Sequence, residues 1–252
     1  YTLKQDLNHP MGDNVNYVVA LTDQRLDTFS QFDTSSIVTS ATRTFNLEGN
    51  PTSIFSRPSL DASITGFMVL LADKSLLSSQ KYDLTFTGAL TDSLVFSIGG
   101  FHDQRKFLIN DLKSGYINGL ALSNSYISDS NILTEFEYEY SKYNAKASYE
   151  TYQSNSFGLN VTSVLGKGWG FKASLSHVNK SHFSPLPIFG ERKERLNSMK
   201  LEFSKSSSDN CLFASYRVSK NDNKSSIEIF AKSNLQITAD FSYVCLFNNS
   251  NS

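Results

Sequence analysis

Residues 234–247 read NLQITADFSYVCLF. Leu235, Ile237, Ala239, Phe241, Tyr243, Cys245 and Phe247 fall on one side of an extended chain, and Asn234, Gln236, Thr238, Asp240 and Ser242 on the other. Unbroken alternation of this kind is the period of a strand with one apolar and one polar face. The same period recurs upstream. Phe136, Tyr138 and Tyr140 alternate with Glu135, Glu137 and Glu139, and Tyr82, Leu84 and Phe86 with Lys81, Asp83 and Thr85. Phe157, Leu159 and Val161 oppose Asn160 and Thr162; Trp169, Phe171, Ala173 and Leu175 oppose Lys172 and Ser174. Met199, Leu201 and Phe203 oppose Lys200 and Glu202, and Tyr216 and Val218 oppose Ser215 and Arg217.

Earlier segments alternate less cleanly, and residues 13–50 accommodate two strands. The chain therefore predicts about 12–14 strands and no helix beyond a turn or two. Short turns are expected at 142–145, 153–156 and 166–168, and a strand over 145–150 between the first two. Longer connections are expected at 30–37, 50–59, 183–195 and 221–233. One end with short turns and one with long loops is the pattern of a membrane barrel.

Composition narrows the class. The chain has 252 residues, a net charge of -1 and scattered Lys and Arg, which argues against a nucleic-acid partner. Its 19 Phe and 12 Tyr against 5 Pro suit pleated sheet. Cys211 and Cys245 make no disulfide framework, and no Cys/His spacing marks a metal site. No cofactor motif stands out; Gly99-Gly100 and residues 166–170 lack the strand–helix context of a phosphate cradle. No apolar run reaches the ~18 residues of a spanning helix, which leaves spanning strands open. The start at Tyr1, without Met or leader, reads as a mature product or a piece of something longer.

In hydrocarbon every backbone N–H and C=O must pair, so an all-strand span closes on itself. The expected fold is an all-β, closed antiparallel transmembrane β-barrel over residues 1–247, followed by a polar tail at 248–252. Tyr82, Tyr149, Trp169 and Tyr243 suit interfacial girdles. The polar faces then line a pore, with Glu135, Glu137, Glu139, Lys146, Glu150, Lys172, Lys200, Glu202, Arg217 and Asp240 as lining residues. The three glutamates are expected to pair with Lys146 and Lys172 across strands. No catalytic residues are assigned: His102 beside Asp103 has no triad spacing, and His177 falls on the apolar side. The basic run at 191–195 is a solvated loop with lipopolysaccharide phosphates as one available contact.

The last strand, ending on aromatic Phe247, is similar to the assembly signal of outer-membrane barrel families. This implies roles for Phe241, Tyr243 and Phe247 and the barrel-assembly machinery as a partner. A narrower likeness runs from Phe157 to Phe247: FGLNVTSVLGKGWGFKASLSHVNKSHF, then IFGERKERLNSMKLEFS, then YRVSKNDNKSSIEIFAKSNLQITADFSYVCLF. The order of strand, GKG turn, strand, charged loop and Asn/Ser loop before the final strand resembles the surface lipoprotein assembly modifier (Slam-type) family. Asp13-Asn14-Val15-Asn16 resembles the element after that family's first barrel strand. The resemblance implies an outer-membrane translocon carrying lipoproteins or related protein cargo to the surface of a bacterial cell. A passive diffusion porin is the alternative, and an outer-membrane hydrolase a more distant one. The helical repeats that usually precede that family's barrel are not visible in this sequence.

Overall fold

The computed structural model describes residues 2–10, 15–24, 34–47, 54–72, 74–186, 190–206, 212–228 and 231–243. They form β1 (Thr2–Pro10), β2 (Val15–Gln24), β3 (Thr34–Asn46), β4 (Ser56–Leu71), β5 (Lys74–Thr91), β6 (Leu94–Phe107) and β7 (Gly115–Ile127). After these come β8 (Ile132–Ala145), β9 (Tyr152–Gly166), β10 (Trp169–His182), β11 (Lys193–Ser206), β12 (Leu212–Ser225) and β13 (Lys232–Tyr243). Single 3-10 turns stand at Asp111–Lys113 and Ser148–Glu150, and Glu228 also has 3-10 conformation. No helix among them is long and apolar enough to cross a membrane.

All thirteen strands join one antiparallel sheet in chain order, so each strand is hydrogen-bonded to its sequence neighbours. Among the described residues no ladder joins β1 to β13. Both are odd-numbered in a strict up-and-down order, so they run in the same direction. The ambiguous 13–50 stretch resolves into β2 and β3, as expected.

Connections sort by end. Those at 25–33, 108–114, 146–151, 183–192 and 226–231 share one end, hereafter the long end, with the tight 72–73 turn as its exception. Those at 11–14, 92–93, 128–131, 167–168 and 207–211 share the other, with 47–55 as the exception there. Lys167 and Gly168 carry a two-residue turn at positive φ, 49° and 76°, as the GKG signal required.

Two expected turns are strand instead. Residues 142–145 complete β8, and 153–156 lie inside β9. The real connection is 146–151, where a strand was expected. Its apolar/polar alternation continues, but its backbone leaves the ladder: Lys146 and Ala147 N–H donate to Ser114 O (2.8 Å) and Leu112 O (2.9 Å). Alternation reports side-chain order and not backbone pairing, so it runs on through such a connection.

No large side chain is fully buried among the described residues. The burial is inverted relative to a water-soluble sheet. Asp103, Ser141, Ser154, Glu194 and Ser215, on the polar face, are shielded, whereas Leu84, Leu120, Leu175 and Ile237, on the apolar face, are at least half exposed. An apolar face open to the surroundings on strand after strand of the described side chains, from β2 to β13, has no aqueous explanation at this scale, since monomeric soluble proteins rarely expose such continuous patches.

Candidate functional site

The apolar face has a sharp upper border toward the long end, and its position follows from strand register. It lies between Tyr82 and Gln80 on β5, Gly100 and His102 on β6, and Tyr140 and Lys142 on β8. It continues between Phe157 and Asn155 on β9, Leu175 and His177 on β10, Met199 and Asn197 on β11, and Val218 and Lys220 on β12. Carried along the ladders to β8, the β5 border falls between Lys142 and Asn144 and the β12 border between Thr134 and Phe136. The shift is about eight residues, ~27 Å along the strands, across about seven strand spacings or ~34 Å. A level border then requires strands tilted by about 40°, within the ~35–45° of membrane barrels. Sequence alternation alone does not contain this slope.

Aromatic side chains mark both margins. Tyr82, Tyr116 and Tyr140 stand toward the long end, and Trp169, Phe203 and Tyr216 toward the other, all exposed. Phe55 lies against Phe86 and Phe96 at 5.5 and 6.4 Å between ring centroids. Of the expected girdle, Tyr82 and Trp169 take such places. Tyr149 instead sits in the 3-10 turn Ser148–Glu150. The side chain of Tyr243 and all of Phe247 lie outside the described residues, as does the side chain of Phe241, whose backbone pairs with Ala214.

The polar face brings together Glu135, Glu137, Glu139, Lys172, Lys200, Glu202 and Arg217 as the alternation implied. Glu202 accepts from Arg217 at 2.9 Å and lies 3.1 Å from Lys200. Lys172 is opposite Glu202 on one side and Thr162 on the other. Asp240 pairs with Ser215, its side chain lying outside the described residues. Lys146 and Glu150 do not lie on strands. Lys146 bonds to Asp111 at 2.5 Å, and Glu150 is 4.0 Å from both Lys113 and Arg192. In this exposed loop the Lys146 ammonium and then the Ser114 hydroxyl hold the Asp111 carboxyl below its ordinary range.

The expected pairing of the glutamates with Lys146 and Lys172 is not formed. Their neighbours are Ser125, Ser123 and Ala121 on β7 and Asn160, Gly158 and Ser156 on β9. Lys172 faces the level of Leu133 and Lys146 lies beyond the end of β8, so register separates both from the carboxylates. Among the described residues none of the three forms an ion pair. Glu137 and Glu139 are exposed, and the Glu137 carboxylate lies over Gly158. Unpaired carboxylates persist on such a wall only when water reaches them.

Near the long end the polar face is packed and internally paired. Asp103, 3% exposed, accepts from Ser79 and Arg105 at 2.7 Å each. Lys81 bridges Asp83 at 2.5 Å and stands over the Phe101 ring. Tyr143, Tyr152 and His182 pack in sequence as tilted rings with centroids 5.3 and 5.4 Å apart, and the Tyr143 hydroxyl donates to Lys113 O. Arg192 pairs with Glu194 beside them. Sequence reading passed over this cluster. The parity of β6, where Ile98 faces out, was the available signal for Asp103. Asp103→Ala is expected to cost about 1–3 kcal/mol, because Arg105 and Ser79 lose a charged partner; a urea titration in detergent micelles reads it.

His102 and Asp103 point to opposite faces. His102 contacts Asn118 Oδ1 at 2.7 Å on the outward side, so the two form no acid–base pair. His177, also outward as expected, meets Asn197 and Asn179 at 2.7 and 2.8 Å. Among the described residues no cluster of three metal-ligating side chains occurs.

The fold has a counterpart among solved structures. A loop L8 deletion mutant of OmpT, an outer membrane protein of Vibrio cholerae, is similar at TM-score 0.53 and 8% identity, over 96% of this chain and 90% of that one. This is the fold of an outer-membrane β-barrel protein. The likeness at that identity is one of fold. No family model and no curated protein matches the chain.

Proposed function

We propose that the protein carries hydrophilic cargo across the bacterial outer membrane through the interior of a closed barrel, and that the cargo is an exported protein, a lipoprotein or a related substrate. The supporting observation is the wall of unpaired Glu135, Glu137 and Glu139 among small Ser and Gly neighbours, on a sheet whose opposite face is apolar. The narrower cargo rests on the motifs at 157–247 that resemble the lipoprotein assembly modifiers. Closure brings β1 to β13, and their common direction makes a direct seam parallel. Parallel pairing is slightly weaker per residue than the antiparallel ladders elsewhere. That seam is where lateral opening costs least. The long end then faces outside, since outer-membrane barrels carry their long loops there. The barrel-assembly machinery is the partner in insertion, and the reading includes no catalysed reaction.

Deleting the protein from its cell is expected to remove at least one lipoprotein from the surface, read by protease shaving. Unchanged surface lipoproteins would sink the export reading. The unpaired glutamates favour a second reading, a passive porin selective for cations. In planar bilayers, constitutive conductance whose cation preference falls several-fold in E135Q/E137Q/E139Q supports the porin. Silence without a partner protein supports export.

A further inference from the structure

On the outward face, a groove of about 470 Å³ crosses β8 to β12. Its floor is apolar, with Phe136, Phe157, Leu159, Leu175 and Met199, and its rim toward the long end carries His177, Asn197, Lys220 and Asp222. It therefore lies within the apolar band and ends at the band's border. Just beyond that border Arg195 and Lys224 are direct cross-strand partners, both exposed. Like charges placed opposite each other destabilise a ladder unless an anion lies between them. Among the described residues neither cation forms an ion pair, nor does Lys220. Lys193, two residues from Arg195 on the same face, is only within 3.9 Å of Glu191. Asp222 and Glu191 are the carboxylates beside these cations, so Arg195, Lys193, Lys220 and Lys224 outnumber them.

We propose that the groove and the cations at its mouth bind one phosphorylated membrane lipid, with an acyl chain against Phe157, Leu159 and Leu175 and the phosphate between Arg195 and Lys224. A hydrocarbon floor ending in unpaired cations matches an amphiphile with an anionic head and matches neither a free ion nor a neutral lipid. The assignment rests on the outward face being in the membrane.

The test uses the whole purified protein in detergent, titrated with dioleoyl phosphatidic acid and read by native mass spectrometry. Binding is expected to be at least tenfold tighter than for dioleoylglycerol, which lacks the phosphate, and unaffected by a large excess of inorganic phosphate. R195Q/K224Q is expected to lose about tenfold or more, Leu175→Trp to lose binding by filling the groove, and K205Q, at the opposite end, to bind as the unaltered protein does. Equal retention of dioleoylglycerol reduces the site to ordinary lipid contact and overturns the proposal. Displacement by inorganic phosphate, or unchanged binding in R195Q/K224Q, overturns it as well. Heat-dependent gel mobility shows that each variant is folded; R195K/K224R, which keeps the charges, must retain binding. A chain that takes up no detergent at all fails earlier, at the membrane reading, and the two failures are thereby distinct.

Discussion

Leu175→Arg, close to the border of the apolar band, is expected to destabilise the folded chain in lipid by about 1 kcal/mol, while Ser176→Arg, one residue on, leaves stability almost unchanged. Leu175 is 50% exposed on the outward face of β10, between Leu159 on β9 and Met199 on β11. It lies inside the border that follows the strand tilt, so a guanidinium there meets hydrocarbon. Ser176 points the other way, between Gly158 and Ser198 and close to the Glu137 carboxylate that lies over Gly158. Water and an unpaired acid both accommodate the new charge there. Urea titrations in lipid vesicles read both variants. Equal costs, or a larger cost at 176, would overturn the sidedness on which the membrane reading depends.

Gly115→Ala is expected to cost about 3 kcal/mol or more. A Cβ on Gly115 would stand 2.1 Å from the Asn144 carbonyl oxygen and 2.8 Å from the Ala145 Cα. Both are backbone atoms of the paired strand and have no rotamer to change. β7 must therefore part from β8 at its long-end start. That parting also strains the Lys146 N–H to Ser114 O bond at 2.8 Å and the Tyr143 hydroxyl bond to Lys113 O. Gly190→Ala is the matched control. Its φ is +80° but nothing lies within 4 Å of the added carbon, so only the backbone strain of about 1–2 kcal/mol remains. Thermal unfolding followed by gel mobility separates the two. Equal shifts would mean that the close approach at Gly115 is not rigid.

Strand identity and sidedness were legible because a period of two survives without any knowledge of neighbours. Alternation alone separates Leu175, Phe203 and Tyr216 from Lys200, Glu202 and Arg217 onto opposite faces of the sheet. What needs register was not legible. The glutamates of β8 were matched with Lys146 and Lys172 by sign of charge, yet ladder alignment sets small side chains beside them. The stretch from Ala145 to Glu150 kept its alternation while its backbone turned toward Ser114 and Leu112, so a connection read as strand. The slope of the apolar border emerges only when borders on separate strands are laid side by side. The Asp103–Arg105–Ser79 group was hidden for a similar reason, since its members come from β5 and β6 and meet only through pairing.

The common direction of β1 and β13 also bears on crowding. Copies inserted with the same sidedness offer one another only like-directed margins, so none can zip onto its neighbour by the antiparallel exchange that drives strand swapping. The odd number of described staves thus discourages fusion of adjacent molecules, even at moments when the wall of one stands ajar.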